Sequence, residues 1–73
     1  MIKKAVKSDL MFKESILKNN LSNNYKDAAH EALADFDKAV EEYHDSGQLK
    51  DKDYMKYHSI VENYKISMKN YHH

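Results

Sequence analysis

The pattern of apolar and polar positions predicts two long helices in the second and third parts of the chain. In both parts, apolar or aromatic residues recur at alternating steps of three and four. This period of about 3.5 residues is typical of helices that pack lengthwise along one narrow face. The pattern occupies Ala29, Leu33, Phe36, Val40 and Tyr43 in the second part, and Tyr54, Tyr57, Val61, Tyr64, Met68 and Tyr71 in the third.

The segment between these two patterns carries the signals of a helix end, a turn and a new helix start. Residues 44–51 (HDSGQLKD) contain the only glycine of the chain, which suits the left-handed conformation after a helix, and Asp51, a candidate N-cap residue. A short turn makes the two helices antiparallel. Facing residues then have numbers with a constant sum: Tyr43 with Tyr54, Val40 with Tyr57, Phe36 with Val61, Leu33 with Tyr64 and Ala29 with Met68.

We therefore predict a helical hairpin with Phe36 and Val61 at its centre. Several of its layers set a small side chain opposite a large one, as close packing requires. The predicted hairpin core consists of Leu33, Phe36, Val40, Tyr43, Tyr54, Tyr57, Val61, Tyr64 and Met68.

The N-terminal segment predicts a third helix with a wide apolar face, which includes Ile2 and ends near residues 19–23. Ser8 is a candidate internal N-cap, which would make residues 1–7 a separate turn. One flank of the hairpin carries mostly small residues, and we expect the N-terminal helix to pack there; this flank comprises Tyr25, Ala32, Ala39, Ile60 and Ser67. The predicted fold is one all-α domain, residues 1–73, forming an antiparallel three-helix bundle with helices at about 2–20, 23–46 and 51–71.

The N-terminal helix carries more apolar residues than one groove can cover. Leu10, Met11 and Phe12 cannot all face inward, so we expect part of this face to bind a partner, and a homodimer is the first expectation. An ordinary wide core stripe is the alternative. The candidate partner-binding residues are Leu10, Met11, Phe12, Lys13, Glu41 and Glu42.

Composition narrows the class of protein. The chain has no Cys, so neither a disulfide framework nor a thiolate metal site is available. It also lacks an apolar run long enough for a signal peptide or a membrane span, and we expect a soluble, cytoplasmic protein without a membrane partner. The many Lys, Asn and Tyr residues are typical of AT-rich coding, which points to a low-GC bacterium or its phage.

Charge is balanced overall, with twelve acidic and twelve basic residues, but all the basic residues are Lys. The absence of Arg disfavours sequence-specific nucleic-acid recognition and leaves only loose phosphate contacts through lysines. Residues 1–26 hold six lysines against two carboxylates, whereas residues 27–53 hold nine carboxylates against three lysines. This asymmetry predicts a basic helix packed against an acidic one, or a basic arm for nucleic acid or anionic lipid.

Four histidines, His30, His44, His58 and His72, recur every fourteen residues. Because fourteen helical residues span about 21 Å, two such neighbours on one helix cannot share an ion. Across the hairpin we expect four other pairs: His58 near Asp37, His44 near Asp51, His30 near Lys65 and His72 near Asn23. The spacing of fourteen residues equals two heptads and therefore indicates helix packing and no metal site within one chain, although a site shared between two subunits remains the alternative.

No sequence motif for catalysis is present: the chain has no glycine-rich phosphate loop, nucleophile elbow or HExxH. Glu41, Glu42 and Asp45 form an acidic cluster that we interpret as solvated helix surface, not a cation site. We expect no catalytic residue, cofactor or enzymatic activity. The predicted function is a small intracellular protein-binding module, such as an adaptor, inhibitor or regulatory partner. The alternatives are a nucleic-acid-associated protein using N-terminal lysines, and a phage or other assembly component.

Overall fold

Three α-helices make up the fold. The computed structural model describes residues 3–69, with α1 at Lys4–Ser22, α2 at Lys26–Asp45 and α3 at Asp51–Met68. The predicted all-α three-helix bundle is confirmed. α2 is the central element, because it packs against both other helices, whereas no Cα atom of α1 lies within 8 Å of one in α3.

The helix boundaries differ from the prediction by one to three residues at every end except the start of α3. α1 is continuous from Lys4, and the Lys7 N–H donates to the Lys3 carbonyl at 3.0 Å. The prediction of a separate N-terminal turn before Ser8 was therefore wrong for residues 4–7. α2 begins at Lys26, three residues later than expected. Ile2 and Tyr71, predicted as apolar helix positions, and His72, predicted to lie near Asn23, are outside the described residues.

The turn between α2 and α3 is closed by a left-handed glycine. Gly47 has φ = 81°, and its N–H donates to the His44 carbonyl at 3.1 Å, while the Gln48 N–H donates to the Tyr43 carbonyl at 2.9 Å. This pair of bonds is the Schellman motif, which satisfies carbonyls left open at a helix end. Glycine occupies this position because it adopts positive φ without a steric penalty.

The turn between α1 and α2 uses the same motif with asparagine. Asn24 has φ = 62°, its N–H donates to the Leu21 carbonyl at 3.1 Å, and the Tyr25 N–H donates to the Asn20 carbonyl at 2.9 Å. Asn tolerates the left-handed region better than most residues. α2 therefore starts only after Asn24.

At the start of α3, the N-cap is Lys50, not Asp51 as predicted. Lys50 has extended backbone angles and makes no side-chain capping bond, whereas Asp51 is already the first helical residue. Its carboxylate oxygen instead lies 2.8 Å from His44 Nε2. Asp51 and Asp53 place negative charge in the first turn, where the helix dipole favours it.

The core lies where α2 meets its two neighbours. Six of the nine predicted hairpin residues are buried, and Tyr43, Tyr54 and Tyr64 are partly buried and pack against them. The rings of Phe36 and Tyr57 meet edge to face, with centroids 6.5 Å apart. The buried set is Val6, Leu10, Leu17, Ala29, Ala32, Leu33, Phe36, Val40, Leu49, Tyr57, Val61 and Met68.

Two tyrosine–carboxylate hydrogen bonds tie α1 to the hairpin. Tyr43 Oη donates to Asp9 at 2.6 Å, and Tyr64 Oη donates to Glu14 at 3.1 Å. The first bond places the N-terminal half of α1 beside the C-terminal half of α2. On the flank where α1 was expected to pack, Ala32 is buried, and Ala39 and Ile60 are partly buried, but Tyr25 and Ser67 are exposed.

Candidate protein-binding groove

A groove of about 690 Å³ runs between α1 and α2. We call it the α1–α2 groove. Its α1 wall consists of Asp9, Phe12, Lys13 and Ile16; its α2 wall consists of Ala32, Asp35, Lys38, Ala39, Glu42, Tyr43 and Ser46, and Gln48 closes it from the turn.

Helical spacing explains why these residues line one groove. Asp9, Phe12 and Ile16 follow at steps of three and four along α1, beside the buried stripe of that helix. Ala32, Asp35, Ala39, Glu42 and Ser46 follow the same steps along α2. Residues three and four apart lie on one face of a helix, so each helix presents a continuous wall.

The two walls differ in side-chain size. Phe12 is 63% exposed and Ile16 is 40% exposed, although both are large and apolar. Across the groove, Ala32 is buried and Ala39 partly buried, and neither is large enough to fill the space. The result is an apolar ridge on α1 beside a hollow on α2.

A hydrogen-bonded group fixes one end of the groove. Asp9 accepts from Lys13 Nζ at 2.8 Å and from Tyr43 Oη at 2.6 Å. The bond from Lys13, together with that from Tyr43, lowers the pKa of Asp9 below its ordinary value, against the opposing effect of burial. The same bond to Asp9, followed by burial, raises the pKa of Tyr43. Asp9 is therefore an ionised anchor between α1 and α2.

The predicted partner-binding residues are not one surface. Leu10 is fully buried in the core, so its assignment to a partner surface was wrong. Met11 is 57% exposed but does not line the groove that Phe12 lines, because consecutive helical residues point about 100° apart. Lys13 is engaged by Asp9. The structure brings Phe12, Lys13 and Glu42 together at the groove.

Glu41 belongs to a separate cluster on the hairpin. Tyr54 Oη donates to Glu41 at 2.7 Å, and this bond, with a smaller effect of burial, raises the pKa of Tyr54. The ring of Tyr54 stacks on His44 with centroids 3.9 Å apart, and on His58 with centroids 5.5 Å apart. These contacts hold the two helices together near their turn.

Some of the predicted histidine contacts are present in the structure and others are not. The expected contact of His44 with Asp51 is confirmed at 2.8 Å, and His30 lines a small cavity together with Lys65. His58, however, has Glu41 at 3.9 Å instead of Asp37.

Asp37 is paired elsewhere: its carboxylate lies 3.2 Å from Lys65 Nζ. Within residues 3–69, no three or more His, Asp or Glu side chains are grouped so that they could hold a metal ion. The predicted pair of His72 with Asn23 falls outside the described part of the chain.

Sequence reasoning missed two features of the groove. It predicted that α1 would cover Ala32 and Ala39 completely, and it did not identify Asp35 or Lys38 as groove residues. The signal was present in the alternation of small and charged residues at steps of three and four along α2. None of α1, α2 and α3, the helices within the described range, is long and apolar enough to cross a membrane.

Comparisons with protein-family models, with curated proteins and with solved structures found no match to this chain. The geometry and charge of the α1–α2 groove therefore carry the functional proposal.

Proposed function

We propose that this chain is a protein-binding module, without catalytic activity of its own, that receives a helix of another polypeptide in the α1–α2 groove. The observation that carries the proposal is the 63% exposure of Phe12 beside the hollow above Ala32 and Ala39. A large exposed apolar side chain next to a concave, partly apolar surface is typical of protein-interaction sites. Grooves between helices commonly bind an amphipathic helix.

Capture experiments with matched variants test this function. The tagged protein, Phe12→Lys and Ile66→Lys are each used to bind proteins from an extract of the native host. Ile66 is 69% exposed on α3 and does not line the groove, so it controls for the general effect of replacing an exposed apolar residue by lysine. We expect a set of proteins that the wild type and Ile66→Lys retain and Phe12→Lys loses. If all three baits captured the same proteins, the groove would not be the binding surface.

A nucleic-acid-associated function is the second candidate, because Lys3, Lys4 and Lys7 are all exposed at the start of α1. Nuclease treatment of the extract separates the two. Loss of every captured protein after this treatment, together with a steep dependence of binding on salt, would favour the second candidate.

A further inference from the structure

We propose that the occupant of the α1–α2 groove is an amphipathic helix of a partner protein that carries Lys or Arg on its flank facing α2. This inference rests on the proposed function and specifies the chemistry of the partner. It is drawn from the different charges on the two edges of the groove.

The outer edge of α2 is acidic. Five exposed charged residues follow one another at steps of four and three along this edge, and only one of them is basic: Glu31, Asp35, Lys38, Glu42 and Asp45. Asp35, Lys38 and Glu42 line the groove itself. A helix lying in the groove would therefore run alongside a row of mostly negative side chains.

Along the groove, the outer edge of α1 is uncharged by contrast, because the exposed Lys4 lies one turn before Ser8 and precedes the first lining residue, Asp9. Its exposed residues beside the apolar ridge are Ser8, Ser15 and Asn19. The one lysine in the α1 wall, Lys13, is held by Asp9 at 2.8 Å. Only the α2 edge of the groove carries net charge. A complementary helix therefore needs basic residues on the flank that faces α2, but not on the flank that faces α1.

The length of the groove sets the length of the occupant. On α2, the lining residues extend from Ala32 to Ser46, which corresponds to about 21 Å of helix. An occupant of about four turns fills this distance. Its apolar face, with residues at i, i+3, i+4 and i+7, would cover Phe12 and Ile16 and enter the hollow above Ala39.

A second copy of this chain fits the groove less well. The acidic edge of α2 would meet a copy of the same groove, with the same excess of carboxylates. Met11, which belongs to the expected homodimer surface, also does not line the groove. In a symmetric pairing of two grooves the acidic edges would face each other, whereas a partner with basic residues balances their charge.

Two synthetic helical peptides of about four to five turns test the inference. They share one apolar face and differ only in carrying Lys or Glu along one flank. Binding of each peptide to the full chain is measured by fluorescence anisotropy. Several exposed ion pairs should make the Lys peptide bind about tenfold more tightly than the Glu peptide, with the difference shrinking in high salt.

Charge-reversal variants locate the effect. Asp35→Lys combined with Glu42→Lys should reverse the preference, so that the Glu peptide binds better. The control is Asp53→Lys combined with Glu62→Lys on α3, which changes the net charge equally and should keep the preference for the Lys peptide. Circular dichroism checks that each variant is folded. Phe12→Lys should weaken binding of both peptides.

Three results would overturn the inference: no binding of the Lys peptide, equal binding of the two peptides, or a preference that both double variants alter alike. Sedimentation equilibrium of the protein alone is the final arm. A dimer that Phe12→Lys dissociates and Ile66→Lys does not would assign the groove to a second copy. Each of the first three results leaves the proposed function standing if capture still depends on Phe12, so the two failures are distinguishable.

Discussion

The turn residue Leu49 is as deeply buried as the helical core. It is 1% exposed although it lies outside α2 and α3, and its N–H donates to the Tyr43 carbonyl at 3.0 Å. The Schellman turn thus directs the side chain two residues after Gly47 back onto the hairpin. A single residue of the turn therefore closes one end of the core.

Replacing Leu49 by alanine should destabilise the protein by about 2–5 kcal/mol, because it removes buried methyl groups and leaves a cavity. The measurement is chemical denaturation followed by circular dichroism. Met55→Ala is the control: Met55 is 66% exposed, so its replacement should change the free energy of unfolding by less than about 0.5 kcal/mol. Equal losses in the two variants would mean that Leu49 is not a core residue.

At the scale of elements, both helix connections depend on one residue with positive φ. Gly47, with φ = 81°, follows the end of α2, and Asn24, with φ = 62°, follows the end of α1. Neither α2 nor α3 has a side-chain cap bond at its N-terminus, so the C-terminal motifs are what define the turns. These motifs set the direction in which each following helix leaves.

Gly47→Ala should lower the free energy of unfolding by about 1–2 kcal/mol, because an alanine Cβ makes the left-handed conformation unfavourable. The cost is in the backbone alone, since a Cβ at Gly47 would meet no atom within 4 Å. Gly47→Asn is the matched comparison and should lose less, as asparagine tolerates this conformation. Thermal and urea unfolding measure both variants. If alanine and asparagine were equally tolerated, the turn would not require positive φ in solution.

At the scale of the whole molecule, α1 is held to the hairpin by its apolar stripe and by two tyrosine hydroxyls. Burial, together with the bond to Glu14, raises the pKa of Tyr64 to about 12. Burial is also the main reason that the pKa of Tyr57 is raised. The folded protein therefore favours the neutral phenol of Tyr64, which donates to Glu14 of α1.

Stability should consequently fall in alkali. A raised pKa means that the folded state binds the phenol proton more tightly than the unfolded chain does. The contribution of Tyr64 is fully present below the ordinary tyrosine pKa of about 10, and it is lost as the pH rises through the folded pKa of about 12. Urea unfolding across this range should show a smaller alkaline loss for Tyr64→Phe than for the wild type. An equal loss would show that the Tyr64 phenol is not responsible.

The sequence alone determined the number of helices, their approximate ends and most of the buried positions of the hairpin. These properties follow from local information: the period of apolar residues identifies the buried face of α2 and α3, and the turn between them requires a residue such as Gly47. The core positions Phe36 and Val61 were predictable for this reason. So was the contact of His44 with Asp51, which lies close to that turn.

Only the tertiary structure decided how α1 uses its wide apolar face. Leu10 is buried and Phe12 exposed because α1 packs chiefly against α2. The apolar face of α1 is wider than the surface of α2 that it packs against, so the sequence does not specify which side of this face stays exposed. Ion pairs were equally undetermined, since long side chains reach one helical turn in either direction: Asp37 joins Lys65, and His58 approaches Glu41. The α1–α2 groove exists only after two helices have docked, because neither wall is concave by itself.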